Sequence, residues 1–405
     1  LGAVTPGDGG GGTFYYDSAS IETQNDGTIV KPTAVTNGRW KRIFSDTINV
    51  KWFASKVVSG NWSPAFQAGI DLGNSIFIPS GSYRIDTPLT NNGDTSVVGE
   101  SVSTVTLYTT SDINIFNFTN NGLITIRNLQ LVASLAQTTG AAINIQSPGG
   151  VRRVGIIENI RILRTDPPHT FKYGIKIKNP RELVLRDILI EGNGSTTMVG
   201  IYLSSDQSAV SPTLENVKVY DAKIGLQIVS NSNPSNFGIE GVKISGSDFA
   251  GVDIGVLVDN TFGGPGFNFD NCHVNAFSGC ISITNMQQVF ITDCLVYMNG
   301  TGFNYGITFE GVSEASITSS KFFFIGSGNV YGILCNSSQT RNIKVAHNYF
   351  KLNNTGNQTG IWFGSNSSRN QALYNSVEGV SNGYDVFDQG SNNVLAGNIR
   401  FNTGT

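Results

Sequence analysis

NCHVNAFSGCISITNMQQVFITDCLV, residues Asn271–Val296, holds two copies of one pattern. The run Asn-apolar-X-apolar at Asn271 recurs as DCLV at Asp293, and GCISI at Gly279 lies between them. Within each run apolar and polar residues alternate with period two, which predicts strands with one buried face. Gly, Asn and Asp sit at the ends, where tight corners favour them. Outward from this stretch the first pattern recurs as NLQL at Asn128, NIRI at Asn159, DILI at Asp187, NVKV at Asn216, GVKI at Gly241 and SSKF at Ser319. It weakens at Asn348, Asn375 and Asn398. A second series (YGIKI, VGIYL, IGLQI, IGVLV, YGITF, YGILC, TGIWF) alternates with the first. The spacing of 22 to 31 residues in fixed order is that of a solenoid. A leucine-rich repeat would need regular Leu positions and a helical stretch in each unit, and neither is present. The predicted fold is all-β: a right-handed, single-stranded parallel β-helix whose coils stack about 4.8 Å apart. Stacking aligns inward side chains in columns, and Cys272 and Cys294 fall in one of them.

Composition agrees. Charged residues make up 14% of the 405, and Gly accounts for 48. Polarity therefore rests on Asn, Ser and Thr, which stack without repulsion and suit the hydroxyls of carbohydrate. A net charge of −3 supplies no basic field for nucleic acid. No run of 18 apolar residues exists to insert in a membrane. The first residues, LGAVTPGDGG, lack the basic start and apolar stretch of a signal peptide. Four Cys without a CxxC pair read as small core residues.

The chain divides into a small N-terminal β module (1–50), a lead-in segment with a capping helix (51–74) and the parallel β-helix (75–405). GDGGGGTFYYD is a glycine turn running into an aromatic strand, and GTIVKPT and GRWKRIF read as two more short strands. In NWSPAFQAGIDLG, Ser63 is the expected N-cap and Pro64 the first helical residue. SIFIPSGSYRI follows as strand, turn and strand. These stretches, with INVKWFASK, resemble the start of bacteriophage tailspikes, capsule depolymerases of the pectate-lyase-like β-helix superfamily. The resemblance covers about the first 90 residues. It departs from the family pattern where VVSGNWSP replaces an acidic turn. It implies a homotrimer in the virion tail, attached to other tail or baseplate proteins and acting outside the host cell. Its target would be a bacterial capsular polysaccharide or O-antigen, which such spikes bind and often depolymerise. The resemblance carries over no catalytic residue.

The candidate chemistry comes from the repeat register. Residues just before the landmarks include Glu215, Glu240 and Asp270, which this register stacks on consecutive coils beside Lys218, Lys243 and His273. One reading is a corner ladder in which each acid pairs with the base three residues on. Another is an active-site cleft, with Lys243 and His273 holding substrate, and a third is a charged sugar-binding strip. A second carboxylate pair, Asp259 and Glu310, falls in an outward column with Thr284 between them. Their predicted separation of about 10 Å suits an inverting glycoside hydrolase. Outward Tyr202, Trp362 and Phe387, near Leu257 and Leu334, are expected to stack on sugar rings or to form a subunit interface. Leu189, Leu257, Leu295, Phe350 and Val377 read as an outward apolar set that favours a trimer. The loop RTDPPHTFKYG, with Asp166, His169, Lys172 and Tyr173, offers groups for a β-elimination lyase. No metal-ligand spacing is present, and no helix follows GDGGGG to make it a phosphate loop, so no cofactor is expected. The functional expectation is hydrolysis of a surface polysaccharide; the alternatives are a lyase and a non-catalytic adhesin.

Overall fold

The computed structural model describes residues 3–401 except 74, 92, 120–121, 149–154, 166–168, 195–196, 208, 231–237, 262, 354–356 and 380–383. Two compact units divide the chain near residue 172. The first unit opens with a small antiparallel sheet of β1 (Phe14–Asp17), β2 (Ile29–Val30) and β3 (Arg39–Arg42), with β3 in the middle. The Arg42 guanidinium ties the glycine run to the sheet: it donates to the carbonyls of Gly10, Gly11 and Gly27 and lies over the rings of Phe14 and Trp52. A short 3-10 turn (Val50–Lys56) leads to α1 (Ser63–Leu72). Ser63 is the first helical residue rather than the cap. Its hydroxyl instead donates to Asn61 and accepts from the backbone N–H groups of Asp86 and Thr87, fastening the helix to the strand that follows.

Beyond α1 the fold is a parallel β-solenoid of about 12 turns, as the repeats require. In the second unit each coil lays down three strands and so has three outward faces. Gln287–Thr292, Leu295–Met298 and Asn304–Glu310 make one coil. They pair in parallel with Ser313–Thr318, Lys321–Phe324 and Val330–Cys335 of the next. These are called the first, second and third faces below.

The corner between the first and second faces explains the repeat. Asp187, Asn216, Gly246, Asn271, Asp293, Ser319, His347, Tyr374 and Gly397 all adopt φ between +49° and +65°. Short polar residues and Gly tolerate this left-handed backbone best, hence the recurring Asn and Asp. The residue after each corner points inward. This inner column runs Ser247, Cys272, Cys294, Ser320, Asn348, Asn375, Asn398. The N–H of Cys294 donates to Ser320 Oγ, that of Ser320 to Asn348 Oδ1, that of Asn348 to Asn375 Oδ1, and that of Asn375 to Asn398 Oδ1, all at 2.9–3.1 Å. The corner's bent backbone cannot complete the regular ladder, so a side chain from the next coil accepts the bond. Cys272 and Cys294 are neighbours here, and burial pushes the Cys272 thiol up to about 12.

Aromatic columns fill the core. Phe322 and Phe350 stack at 4.6 Å and are wholly buried, each burial contributing about 1.5–3 kcal/mol. The second repeat series has its Gly for want of space: a Cβ on Gly306 would lie 2.5 Å from the Gly332 carbonyl of the next coil. Two expectations fail here. Phe350 and Val377 are core residues at 0% exposure, not an outward apolar set. The corner residues there are His347 and Tyr374, so the sequence register, anchored on Asn348 and Asn375, runs one residue late. Leu189, Leu257 and Leu295 do lie on outward faces, partly exposed.

Candidate functional site

The third face carries the pair that the register predicted. Asp259, Thr284 and Glu310 are aligned on three successive coils. Two steps of about 4.8 Å set the carboxylate-bearing backbones about 10 Å apart along the solenoid. Both acids are exposed and Thr284 is partly covered. The N–H of Asn285 donates to the Glu310 carbonyl and that of Gly311 to Thr340 Oγ1, so the turn beside Glu310 is held from both neighbouring coils.

Aromatic side chains flank this pair along the same face. The column two residues before the acids runs Lys176, Tyr202, Gln227, Leu257, Ser282, Thr308, Leu334, Trp362, Phe387. Tyr202 lies two coils before the Asp259 coil, against Tyr173 at 5.4 Å, with the Lys176 ammonium 4.8 Å from the Tyr173 ring. Trp362 lies two coils beyond the Glu310 coil. It touches Tyr331 at 4.7 Å and Phe387 at 5.3 Å, and Tyr331 in turn touches Phe303 at 5.2 Å. Half-buried Tyr305 lies on the Glu310 strand, with its ring over Gly279 of the preceding coil. Burial raises its pKa, as do the charges of Asp253 and Glu310, against a hydrogen bond with Ser282. Its phenol therefore stays protonated at neutral pH.

Beyond the acids, at the turn that leads into the first face, opens a cavity of about 540 Å³. Thr261, Gly263, Asn285, Gln287, Gly311 and Gln339 line it. Thr261 follows Asp259 by two residues, Asn285 follows Thr284, and Gly311 follows Glu310. The sequence reading missed these residues, which lie in turns or, for Gln287, at the start of a strand, where composition signals only a corner.

The other candidates separate. Glu215 and Asp270 share a column on the first face, but Ser245 stands between them and Glu240 does not belong to it. Glu240 lies at the turn before that face, where it pairs with Val210, and Lys243 aligns with Thr213 and Asn268. The cause is the coil's corner, which is Gly246 and not Gly241 in GVKI. The expected pairing of each acid with the base three residues on is not what forms. Glu215 binds Arg186 of the preceding coil at 2.7 Å, and His273 Nδ1 bonds Asp248 Oδ1 of the preceding coil at 2.8 Å. Asp248 also accepts from the Tyr220 hydroxyl at 2.8 Å. Burial of Asp248 opposes its ionisation, but His273, Tyr220 and the charge of Lys218 outweigh it and hold its pKa low. This cluster on the second face was not foreseen, since Asp248 follows a corner filled by Gly246. In the RTDPPHTFKYG loop, Asp166 is outside the described residues, and His169 stands 3.4 Å from the Thr165 hydroxyl. Among the described residues no group of His, Cys, Asp or Glu is arranged to hold a metal.

With this geometry in view, the comparisons with known proteins divide by region. Residues 2–45 match the family model of the phage tail protein small four-stranded beta-sheet domain. The similarity to a phage tail domain is confined to this segment. The solenoid that follows is similar in fold to two solved structures. The mannuronan C-5 epimerase AlgE6 A-module of Azotobacter vinelandii has a TM-score of 0.56 at 16% identity, over 87% of this chain and 99% of that one. The Dettilon tailspike protein has 0.51 at 10% identity, over 87% of this chain and 68% of that one. Tailspike protein 2 of bacteriophage CBA120 aligns at 14% identity and TM-score 0.45, and the tail-domain chain spans about half its length, 52%. The resemblance to tailspikes found in the first 90 residues is thus met by a phage tail domain in front of a β-helix.

Proposed function

We propose that this chain is a virion tailspike that binds and hydrolyses a bacterial surface polysaccharide, capsule or O-antigen, along its third face. The observation that carries this reading is the Asp259–Thr284–Glu310 column with aromatic rings two coils away on either side. A sugar chain lying along the face would stack on Tyr202 and Trp362 and present a glycosidic bond to the acids between them. A carboxyl separation of about 6.5–9.5 Å leaves room for a water, so the geometry fits inversion. One acid protonates the leaving oxygen and the other activates water on the opposite face of the ring. Glu310 is assigned as the acid and Asp259 as the base. No cofactor enters this scheme. The module of residues 1–50 joins other tail or baseplate proteins, residues 51–74 lead into the helix, and residues 75–405 carry the site. Three copies side by side present three such faces, so a repeating polymer is held by avidity.

The test is incubation with purified surface polysaccharide of the host strain, followed by sizing of the products. Oligosaccharides of one or a few repeats, without an ultraviolet-absorbing double bond, support hydrolysis. Binding without any change in size supports a plain adhesin. A second reading, elimination on a uronate polymer, is favoured by the Asp248–His273–Tyr220 cluster with Lys218. There a base and a cation lie together, and absorbing products would identify it.

A further inference from the structure

We propose that the cavity beyond Asp259 and Glu310 receives the acetamido group of a neutral N-acetylated sugar. The inference rests on the third face being the substrate face and specifies what that face recognises.

The lining carries no charge: one hydroxyl, three primary amides and two glycines. Asn285, Gln287 and Gln339 make no side-chain hydrogen bond to another described residue, so their donors and acceptors are open to a ligand. Asn285 and Gln339 converge. A Cβ built on Gly311 would lie 2.2 Å from Asn285 Oδ1 and 3.6 Å from Gln339 Oε1, so both amides reach over the same glycine, next to Glu310. Gly311 has φ +67° and leaves that space free.

An acetamido group has one N–H, one carbonyl and one methyl. Primary amides match the first two reciprocally, each being donor and acceptor at once. The Thr261 methyl and the bare backbone of Gly263 and Gly311 suit the third. A uronate carboxylate would find no cation in this lining. Lys178, the lysine of the acids' own column, is held by Asp206 at 2.5 Å several coils away. A volume of about 540 Å³ lies within the usual range for a saccharide-sized ligand.

Saturation-transfer NMR on the full chain tests this. The probes are the methyl glycosides of N-acetylglucosamine and N-acetylgalactosamine, with methyl glucoside and methyl glucuronide as controls. The strongest transfer is expected at the acetyl methyl of one N-acetylated probe. It should weaken about tenfold in a Gln287→Leu/Gln339→Leu variant, whose exposed substitutions leave the fold intact. Glucuronide binding as well as the N-acetylated probes, or an acetyl signal unchanged in that variant, overturns the proposal. An Asp259→Asn/Glu310→Gln variant separates the two readings. Its acetyl signal should persist, whereas polymer cleavage that survives in it counts against the hydrolase and leaves the cavity assignment standing.

Discussion

Asp259 and Glu310 occupy one outward column two coils apart, with Thr284 between them and no other carboxylate in that interval of the column. Hydrolysis through this pair needs both. Asp259→Asn and Glu310→Gln should each lower kcat by a factor of about 10² or more while polysaccharide binding and the far-ultraviolet spectrum stay unchanged. Glu215→Gln and Asp270→Asn, on the first face, should stay within about twofold of the parent. The reverse ranking moves the site to the first face.

The flanking rings act on binding. Tyr202→Ala and Trp362→Ala should each raise KM about 3- to 10-fold with kcat nearly constant, the loss of about 0.5–1.5 kcal/mol of stacking. The effects should add, since the two residues lie six coil steps apart. Initial rates on a polymer long enough to reach both platforms would check this. A fall in kcat alone would contradict it.

Asn375 accepts from the Asn348 backbone and donates to the Val345 carbonyl, at 0% exposure. Asn375→Leu removes the acceptor and buries the Asn348 N–H unpaired, at a cost of about 2–4 kcal/mol. Asn375→Ser keeps an acceptor, as Ser320 does in the same column, and should lose clearly less. Urea midpoints of the two variants decide it; equal losses would mean that packing, not the hydrogen bond, governs the column.

Depressed carboxylates shape the response to low pH, Asp112, Asp206 and Asp248 among them. Burial opposes ionisation of Asp112, but the Thr138 hydroxyl and the backbone N–H groups of Thr138, Gly140 and Thr139 hold its pKa at about 2. Asp248 is depressed in the same direction. A depressed carboxylate stabilises the fold above its unfolded pKa, near 4, and loses that contribution as pH falls through the folded value. Stability in urea should be level from pH 7 to about 5 and fall from about pH 4 toward 2. Asp112→Asn should be less stable at pH 7 and show a shallower fall. A fall in Asp112→Asn as steep as that of the parent would remove Asp112 from this response.

The repeat made the fold legible because left-handed corners select Asn and Asp, and the same rule located Asp259 and Glu310 between well-marked coils. It failed where other residues took the corner. Gly246 fills it silently, and reading Gly241 in its place drew Glu240 and Lys243 into columns they do not share. His347 and Tyr374 fill it against type, and the next residue, an Asn in each case, drew the register inward to Phe350 and Val377. Side-chain direction across coils was not legible either: Arg186 reaches forward to Glu215, and His273 back to Asp248, although each has nearer partners in sequence. The amides of the cavity are invisible in the repeat, because they lie at or beside turns, outside the alternating core of each strand.

The inner column of Ser, Cys and Asn gives the solenoid a direction. Each corner amide is completed by a side chain from the coil that follows it, never by the one before. While the chain is being synthesised, the newest coil therefore always holds an open donor, which closes only when its successor arrives. A break in the column leaves an unpaired amide on its N-terminal side and only a displaced side chain on the other. Peeling from the C-terminal end and peeling from the N-terminal end are for this reason different reactions, and a mechanical pull would tell them apart.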